Sequence, residues 1–305
     1  MPILSLFKNS TRTVLILAPT ALLAGCNTVL LHPAGAVAKQ EGHLILVATV
    51  LMLIVIVPVM ALTVVFAWRY RKSNSQATYT PDWDHSTQLE LVIWAVPLLI
   101  IIALGAVTWI STHTLDPYRR LRTAAKPITV EVVALDWKWL FIYPEQGIAV
   151  VNDLAAPVDV PIHFKITASA VMNSFFVPAL AGQIYAMPGM QTQLHAVIDH
   201  AGDYDGFSAN YSGAGFSDMR FKFHGMSEAD FARWVQEAKA SGRTLDREGY
   251  LVLEQPSEHD PVRRYANVEA GLYEAIVARS VTGRDRTVAQ STAGATDAVA
   301  QERYR

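Results

Sequence analysis

Two uninterrupted apolar runs occupy the first third of the chain. Residues 44–68 and 91–112 contain no charged side chain. At ~1.5 Å per residue, each is long enough to cross a hydrocarbon core of roughly 30 Å, which predicts a transmembrane hairpin. Pro58 and Pro97 fall inside these runs, where neighbouring groups can satisfy the freed carbonyls. Trp68, Trp94 and Trp109 lie near the ends, as interfacial aromatics do. From Pro127 the pattern changes to period two. Val158, Val160, Ile162, Phe164 and Ile166 alternate with Asp159, Pro161, His163, Lys165 and Thr167, and Met219, Phe221 and Phe223 alternate with Arg220 and Lys222. Residues 128–135, 191–198 and 203–211 also read as strands, separated by Gly, Pro and Asp turns. Short strands with such breaks predict a small β-sandwich or Greek-key barrel over residues 116–224. After Phe223 the spacing becomes helical. Ser227 is an N-cap with Asp230 at the capping-box position; Phe231, Trp234, Val235 and Ala238 form one face, and Gly242 ends the helix. Weaker helical patterns follow over 245–253 and 269–279, within an aromatic-rich segment spanning 225–282. Residues 283–305 are Thr, Ala, Gln, Gly and charges, a composition expected to be disordered.

The N-terminus reads as a targeting segment. Lys8 and Arg12 form a basic region, and residues 13–24 are a mostly apolar stretch too short to span a bilayer. Leu23-Ala24-Gly25-Cys26 then resembles the bacterial lipobox. Its small residues let a peptidase reach the bond before Cys26, whose thiol becomes the lipid attachment point. The expectation is a signal peptide over 1–25, then a lipidated N-terminus and hairpin over 26–115, in the inner membrane of a bacterium. A lipidated Cys26 lies on the outer face of that membrane. Arg69, Arg71 and Lys72 directly follow the first run, and positive residues stay inside, so loop 69–90 is expected in the cytoplasm and the β domain in the periplasm. Arg119, Arg120, Arg122 and Lys126 run against this, but large domains translocate largely regardless of charge.

Composition narrows the function classes. Apolar residues make up 51% of the chain and charged residues 17%, which is low for a purely soluble protein. With 25 basic against 27 acidic residues, nothing favours a nucleic-acid partner. The single cysteine excludes an intrachain disulfide and any cysteine-based cluster or zinc site. No histidine lies inside an apolar run to ligate a haem; His43 and His113 only flank them. The Ser, His and Asp residues form no nucleophile-elbow pattern, so the chain carries no catalytic constellation of its own. Glu90 is the one ionisable residue at a suggestive membrane position, where the second run leaves the cytoplasm. Taken alone it reads as a solvated carboxylate in a first helical turn, and Asp82 and Asp84 as solvated loop charges.

The stretch 171–219, VMNSFFVPALAGQIYAMPGMQTQLHAVIDHAGDYDGFSANYSGAGFSDM, carries the most information. It resembles the end of the cupredoxin domain of subunit II of haem–copper oxidases. Copper-bearing members of that family place a His before Ser-Phe and, downstream, Cys-x-Glu-x-Cys-x3-His-x2-Met. On this chain the first His falls on Asn173, the two Cys on Ser208 and Ser212, the Glu on Asn210, the second His on Phe216 and the Met on Met219. The frame is kept while every strong copper ligand is replaced, and Ser, Asn and Phe cannot substitute for thiolate and imidazole. No metal is expected, and Met219 is expected to pack in the core. The remaining polar groups, Asn173, Ser208, Asn210 and Ser212, are expected to hydrogen-bond one another. The family's Glu also helps hold a magnesium ion against subunit I; Asn210 stands there, so the resemblance supplies no carboxylate for that ion. Asp136-Trp137-Lys138-Trp139-Leu140-Phe141 is similar to the family's aromatic segment, whose first Trp receives electrons in copper-bearing members. Without copper it is expected to be a packed aromatic ridge facing the oxidase core.

This pattern is that of the family's quinol-oxidising branch, of the cytochrome bo type. The resemblance implies subunit II of a proton-pumping complex that oxidises ubiquinol and reduces oxygen to water. It implies haem and copper in subunit I and no cofactor on this chain. Subunit I, small membrane subunits III and IV and membrane lipids would be the partners, with ubiquinol met through the complex. It also raises Glu90 from a helix-end carboxylate to the entrance of a proton pathway continuing into subunit I. The alternative is a free-standing membrane lipoprotein using a copper-free cupredoxin for binding or assembly, which would purify without haem. A cytochrome c oxidase subunit is excluded by the missing ligands.

Overall fold

The computed structural model describes residues 28–78, 80–121 and 125–278. Helix α1 covers Ala36–Arg69 and helix α2 covers Thr87–Thr114. Both are long and apolar enough to cross a membrane. The first helix begins eight residues before its apolar run, because its start is fixed by the β domain rather than by a side-chain cap. Ala34 and Gly35 donate their N–H groups to Ala179 O at 2.9 and 2.8 Å, and Ala38 N donates to Leu180 O at 3.3 Å. Carbonyls of the domain therefore satisfy N–H groups that a helix start leaves open. Gly35 is required there: a Cβ would sit 2.4 Å from Leu180 O. One turn further on, Glu41 Oε1 accepts from Gly182 N at 3.1 Å.

The β domain is a two-sheet sandwich. Its strands are β1 (Ile128–Leu135), β2 (Lys138–Tyr143), β3 (Ile148–Val151), β4 (Asp153–Pro157), β5 (Ile162–Ala168), β6 (Asn173–Val177), β7 (Ala181–Ala186), β8 (Thr192–Ala196), β9 (Gly202–Ser208) and β10 (Arg220–Met226). Strands 1, 2, 3, 5 and 8 form one sheet, extended at its edge by β12 (Arg263–Tyr265), and strands 4, 10, 9, 6 and 7 form the other. The expected strand pattern over 158–167 begins only at Ile162, and the one over 203–211 ends at Ser208. Residues 209–219 instead leave the ladder as an irregular loop with one short 3-10 turn at Phe216–Asp218. The chain crosses between sheets at Asn152, which adopts φ 57°. Its side chain stabilises the crossing: Oδ1 accepts from Trp139 N at 2.8 Å, and Nδ2 donates to Asp260 O at 2.9 Å.

Two apolar cores result. The larger lies between the sheets and includes Val130, Val132, Trp139, Phe141, Phe164, Phe175, Met219 and Phe221. Helix α3 (Glu228–Ala240) closes one flank of it with Phe231, Trp234, Val235 and Ala238, and Asp230 N donates to the capping Ser227 Oγ at 3.2 Å. The second core covers the outer face of the first sheet. There Val133, Leu135, Leu140, Ile142, Ala149 and Val151 meet Leu245, Tyr250, Leu253, Leu272, Tyr273 and Ile276. These partners come from the C-terminal segment, with β11 (Thr244–Leu245), α4 (Arg247–Leu253), β13 (Asn267–Val268) and a helical turn over 272–278. Strands β1 and β2 are thus buried on both faces, which is why apolar residues stand at consecutive positions in 132–135 and 139–143.

Candidate functional site

Strands β6 and β9 pair with Phe175 opposite Ser208, which brings Asn173 and Ser208 together at the end of the second sheet. Ser208 Oγ lies 3.0 Å from Asn173 Oδ1 and 3.2 Å from Asn210 O, and accepts from Ser174 N at 3.4 Å. A hydroxyl has a single proton, so Asn173 Oδ1 and Asn210 O share it as acceptors while one lone pair takes the Ser174 N–H. Asn173 Nδ2 donates to Val171 O at 3.2 Å. Asn210 Nδ2 donates to Met172 O and Tyr211 O, both at 3.3 Å. The four polar side chains therefore do not form the mutual network expected from the sequence. Only Asn173 and Ser208 pair; Asn210 is absorbed by backbone carbonyls, and Ser212 Oγ is buried with no partner among the described residues. Two carbonyls take the Asn210 amide instead, one from the irregular loop itself at Tyr211 and one from Met172 just before β6.

Phe216 packs against Tyr211 with ring centroids 5.6 Å apart. Met219 is fully buried in the main core. Copper does not fit this arrangement: the groups at the ligand positions are neutral hydroxyls and amides in place of thiolate and imidazole, and a Phe ring offers no donor.

Trp137 anchors the loop from the opposite sheet. It occupies the β1–β2 turn with φ 66°, uncommon for a bulky residue. Its Nε1 donates to Ser212 O at 3.1 Å, and its ring lies flat over Gly215, where a Cβ would come within 2.7 Å of it. Trp139 and Phe141 face the interior and stack at their edges with Phe175 and Phe221. The aromatic segment is thus not a ridge facing outward; two of its rings build the domain's own core. Between them Lys138 is buried on the other face, donating to Gln255 O at 2.8 Å and Ser257 Oγ at 2.6 Å, with Asp260 at 3.6 Å. Burial pushes its pKa down, while the Asp260 carboxylate opposes that shift.

A second polar cluster was not foreseen from the sequence. His224 on β10 bonds Asp153 Oδ1 at 2.8 Å through Nε2 and Asp203 Oδ1 at 2.6 Å through Nδ1. Asp153 also accepts from Trp234 Nε1 at 3.2 Å and Arg264 at 3.4 Å. The hydrogen bond to Asp153 raises the His224 pKa to about 9, aided by Asp203 and opposed by burial. Burial pushes Asp153 up, yet the bonds from His224 and Trp234 and the nearby cations hold it below its ordinary value. The cluster ties β4, β9, β10, α3 and the C-terminal segment together. Its signal was out of reach in the sequence, because Asp153 and His224 are 71 positions apart.

Glu90 lies at the start of α2, in the other membrane-facing region of the chain. Its carboxylate is about half exposed and bonds His85 Nδ1 at 2.9 Å; His85 Nε2 lies 3.0 Å from Thr87 Oγ1. Among the described residues no group of three or more His, Cys, Asp or Glu side chains is arranged to hold a metal ion. Cys26 and the 1–25 leader fall outside the described residues, as does the 283–305 tail.

Comparison with known proteins covers most of the chain. The model of the cytochrome c oxidase subunit II periplasmic domain matches residues 145–225, and that of the COX aromatic-rich motif matches 239–283. The chain is similar to the cytochrome bo(3) ubiquinol oxidase subunit 2 of Pseudomonas putida, 56% identical over 84% of this chain and 82% of that one. It is similar to the ubiquinol oxidase subunit 2 of Acetobacter aceti, 52% identical over 88% of this chain and 87% of that one. Among solved structures it is similar to the periplasmic domain of subunit II of the Bradyrhizobium japonicum cytochrome oxidase, 22% identical with a TM-score of 0.37, covering 40% of this chain and 99% of that one. The two apolar helices, the cupredoxin-like β domain and these relatives agree: the chain belongs to the ubiquinol oxidase subunit 2 family, as an inner-membrane subunit of a quinol oxidase complex with a periplasmic domain.

Proposed function

We propose that this chain serves its oxidase as a copper-free periplasmic cap, an assembly surface and a cytoplasmic proton entrance, and not as an electron relay. The observation that carries the reading is the fate of the five ligand positions. Asn173, Ser208 and Asn210 are bonded to protein groups, Ser212 carries a neutral hydroxyl, and Phe216 packs against Tyr211. A lipid-soluble quinol can reach a haem-bearing partner within the membrane, so a redox relay outside it has no task. In this reading haem and copper belong to subunit I, with small subunits III and IV completing the complex, and Asn210 supplies no carboxylate for a magnesium ion at the interface. Cys26 is lipidated after cleavage behind Gly25, which places the amino terminus at the outer face and loop 69–90 in the cytoplasm. Glu90 then stands where protons enter from that side. The segments 26–115, 116–224 and 225–282 act as anchor, cupredoxin-like cap and clamp.

The decisive experiment is purification from native membranes with an optical spectrum and metal analysis. Haem should co-purify with the chain in fixed ratio, and copper should be accounted for without a mixed-valence binuclear signal. A chain that purifies free of haem supports the lone lipoprotein reading instead. Intact mass of the mature chain should show an acylated Cys26, and an unmodified thiol there sinks the lipidation assignment.

A further inference from the structure

We infer that His85 is the proton-collecting partner of Glu90, acting through the carboxylate as a positioning and relay residue on the cytoplasmic side. This rests on reading Glu90 as the proton entrance. The argument begins with what Glu90 does not do. A carboxylate in the first turn of a helix ordinarily serves the open N–H groups there. Here the preceding Ser86 makes no side-chain cap, and the Glu90 carboxylate turns to the His85 ring at 2.9 Å. The ring is engaged at both nitrogens, with the Thr87 hydroxyl 3.0 Å from Nε2. Hydroxyl, imidazole and carboxylate therefore form a line of three water-accessible, proton-exchanging groups at the start of a membrane helix.

Imidazole suits the middle position because one nitrogen can take a proton while the other gives one up. The step balances. A proton from cytoplasmic water, delivered through the Thr87 hydroxyl, bonds to Nε2. The Nδ1–H bond breaks as a bond forms from that proton to Glu90 Oε1. The ring is left neutral with its proton on Nε2, and tautomer exchange through solvent resets it: once Glu90 has passed its proton on, water takes the Nε2 proton and returns one to Nδ1. With 62% of the His85 side chain exposed, water reaches the ring for that exchange. The other charged groups on this side are Asp82 and Asp84 on the same loop and Arg69, Arg71 and Lys72 at the end of α1. The Arg71 guanidinium is held by Trp68 O at 2.8 Å and Ser73 Oγ at 3.1 Å. Among the described residues Glu90 is the only carboxylate paired with His85.

An exposed ion pair alone would contribute little to stability, so a structural role predicts little change on substitution. A relay predicts a kinetic effect. The test uses the intact oxidase reconstituted in vesicles, carrying His85→Asn, His85→Gln, Glu90→Gln or both His85→Asn and Glu90→Gln. Haem content and quinol KM serve as controls for assembly. His85→Asn and His85→Gln should each lower kcat roughly threefold, and Glu90→Gln about tenfold; both lie below the usual range for a general acid or base because water reaches this exposed site directly. The double variant should be no slower than Glu90→Gln, since His85 acts only through Glu90. Imidazole added on the cytoplasmic side should restore the His85→Asn rate and leave Glu90→Gln unchanged. Wild-type kcat in both His85 variants with a slow Glu90→Gln overturns the His85 role and leaves the Glu90 reading intact. Wild-type kcat in Glu90→Gln overturns the Glu90 reading and the relay that depends on it. Additive losses in the double variant show that His85 works by another route and overturn the relay.

Discussion

The segments 208–219 and 82–90 both carry polar side chains drawn into the proposed function, but they are built in opposite ways. In the first, the Ser208 hydroxyl and the Asn173 and Asn210 amides turn inward onto the chain, and Trp137 covers the loop. In the second, Glu90 and His85 bond each other and remain more than half exposed. A buried polar group bonded to its own chain is scaffold, whereas one that stays open to water can exchange a proton or meet a partner. The residue types alone do not separate these cases; their exposure does.

The sharpest way to break this comparison is to reopen the closed loop. Changing Asn173→His, Ser208→Cys, Asn210→Glu, Ser212→Cys and Phe216→His together should turn a domain without metal into one with a binuclear copper EPR signal, since the cupredoxin frame is kept. A quintuple variant that folds yet takes up no copper would mean that the loop backbone, and not only its side chains, has changed. At the open loop, Glu90→Gln should leave haem content unchanged while kcat falls about tenfold between pH 6 and 9. A wild-type rate across that range would make this loop scaffold too. Gly215→Ala should destabilise the domain by roughly 2 kcal/mol, because its methyl group collides with the flat face of Trp137 and either the ring or the loop must shift. Thermal melting reads this directly, and an unchanged melting temperature would show that the lid is loose. Ser208→Ala should cost about 1 kcal/mol by the same measurement, the usual net value of one buried hydrogen bond.

His224 supplies a control on protonation outside both loops. Its folded pKa of about 9 lies above its ordinary value, so protonation favours the folded state. The stabilisation is complete below pH ~6.5, the usual imidazole value, and is lost as pH rises through about 9. Melting temperature should fall across that window in the wild type, and His224→Gln should flatten the fall.

Much of the architecture was legible because it rests on local pattern. The apolar runs specify the hairpin, and Ser227 with Phe231, Trp234 and Val235 specify α3 together with the face it buries. The loss of copper ligands was legible only through the family resemblance, since Ser and Asn residues announce nothing by spacing. What stayed hidden depends on pairings between distant residues. Helix α1 begins at Ala36 because Val197 and Leu180 accept its first N–H groups and Ala179 holds the two residues before it, and no polarity pattern around Lys39, Gln40 and Glu41 reveals this. The expected ring of four bonded polar side chains failed because backbone carbonyls at Met172 and Tyr211 compete for Asn210. Asp82 and Asp84 drew notice as charges near Glu90, but the bond came from His85, five positions away across the helix start.

The second apolar core bears on how the protein is made. The outer face of the first sheet, with Val133, Leu135, Leu140, Ile142 and Val151, is sealed by residues from the C-terminal segment, which leave the ribosome long after the sheet's own strands. Lys138 likewise waits for Gln255, Ser257 and Asp260 before its charge has partners. A sandwich that formed before that segment arrived would have a bare apolar wall and an uncompensated ammonium in it. Such a surface sticks to whatever is near and draws chaperones and proteases. A chain broken off between residues 240 and 270 would keep every strand of both sheets except the small edge strands, yet lack the seal. Only a chain that has reached its C-terminal segment has this face covered, which sets a finished subunit apart from a truncated one by its exposed apolar surface.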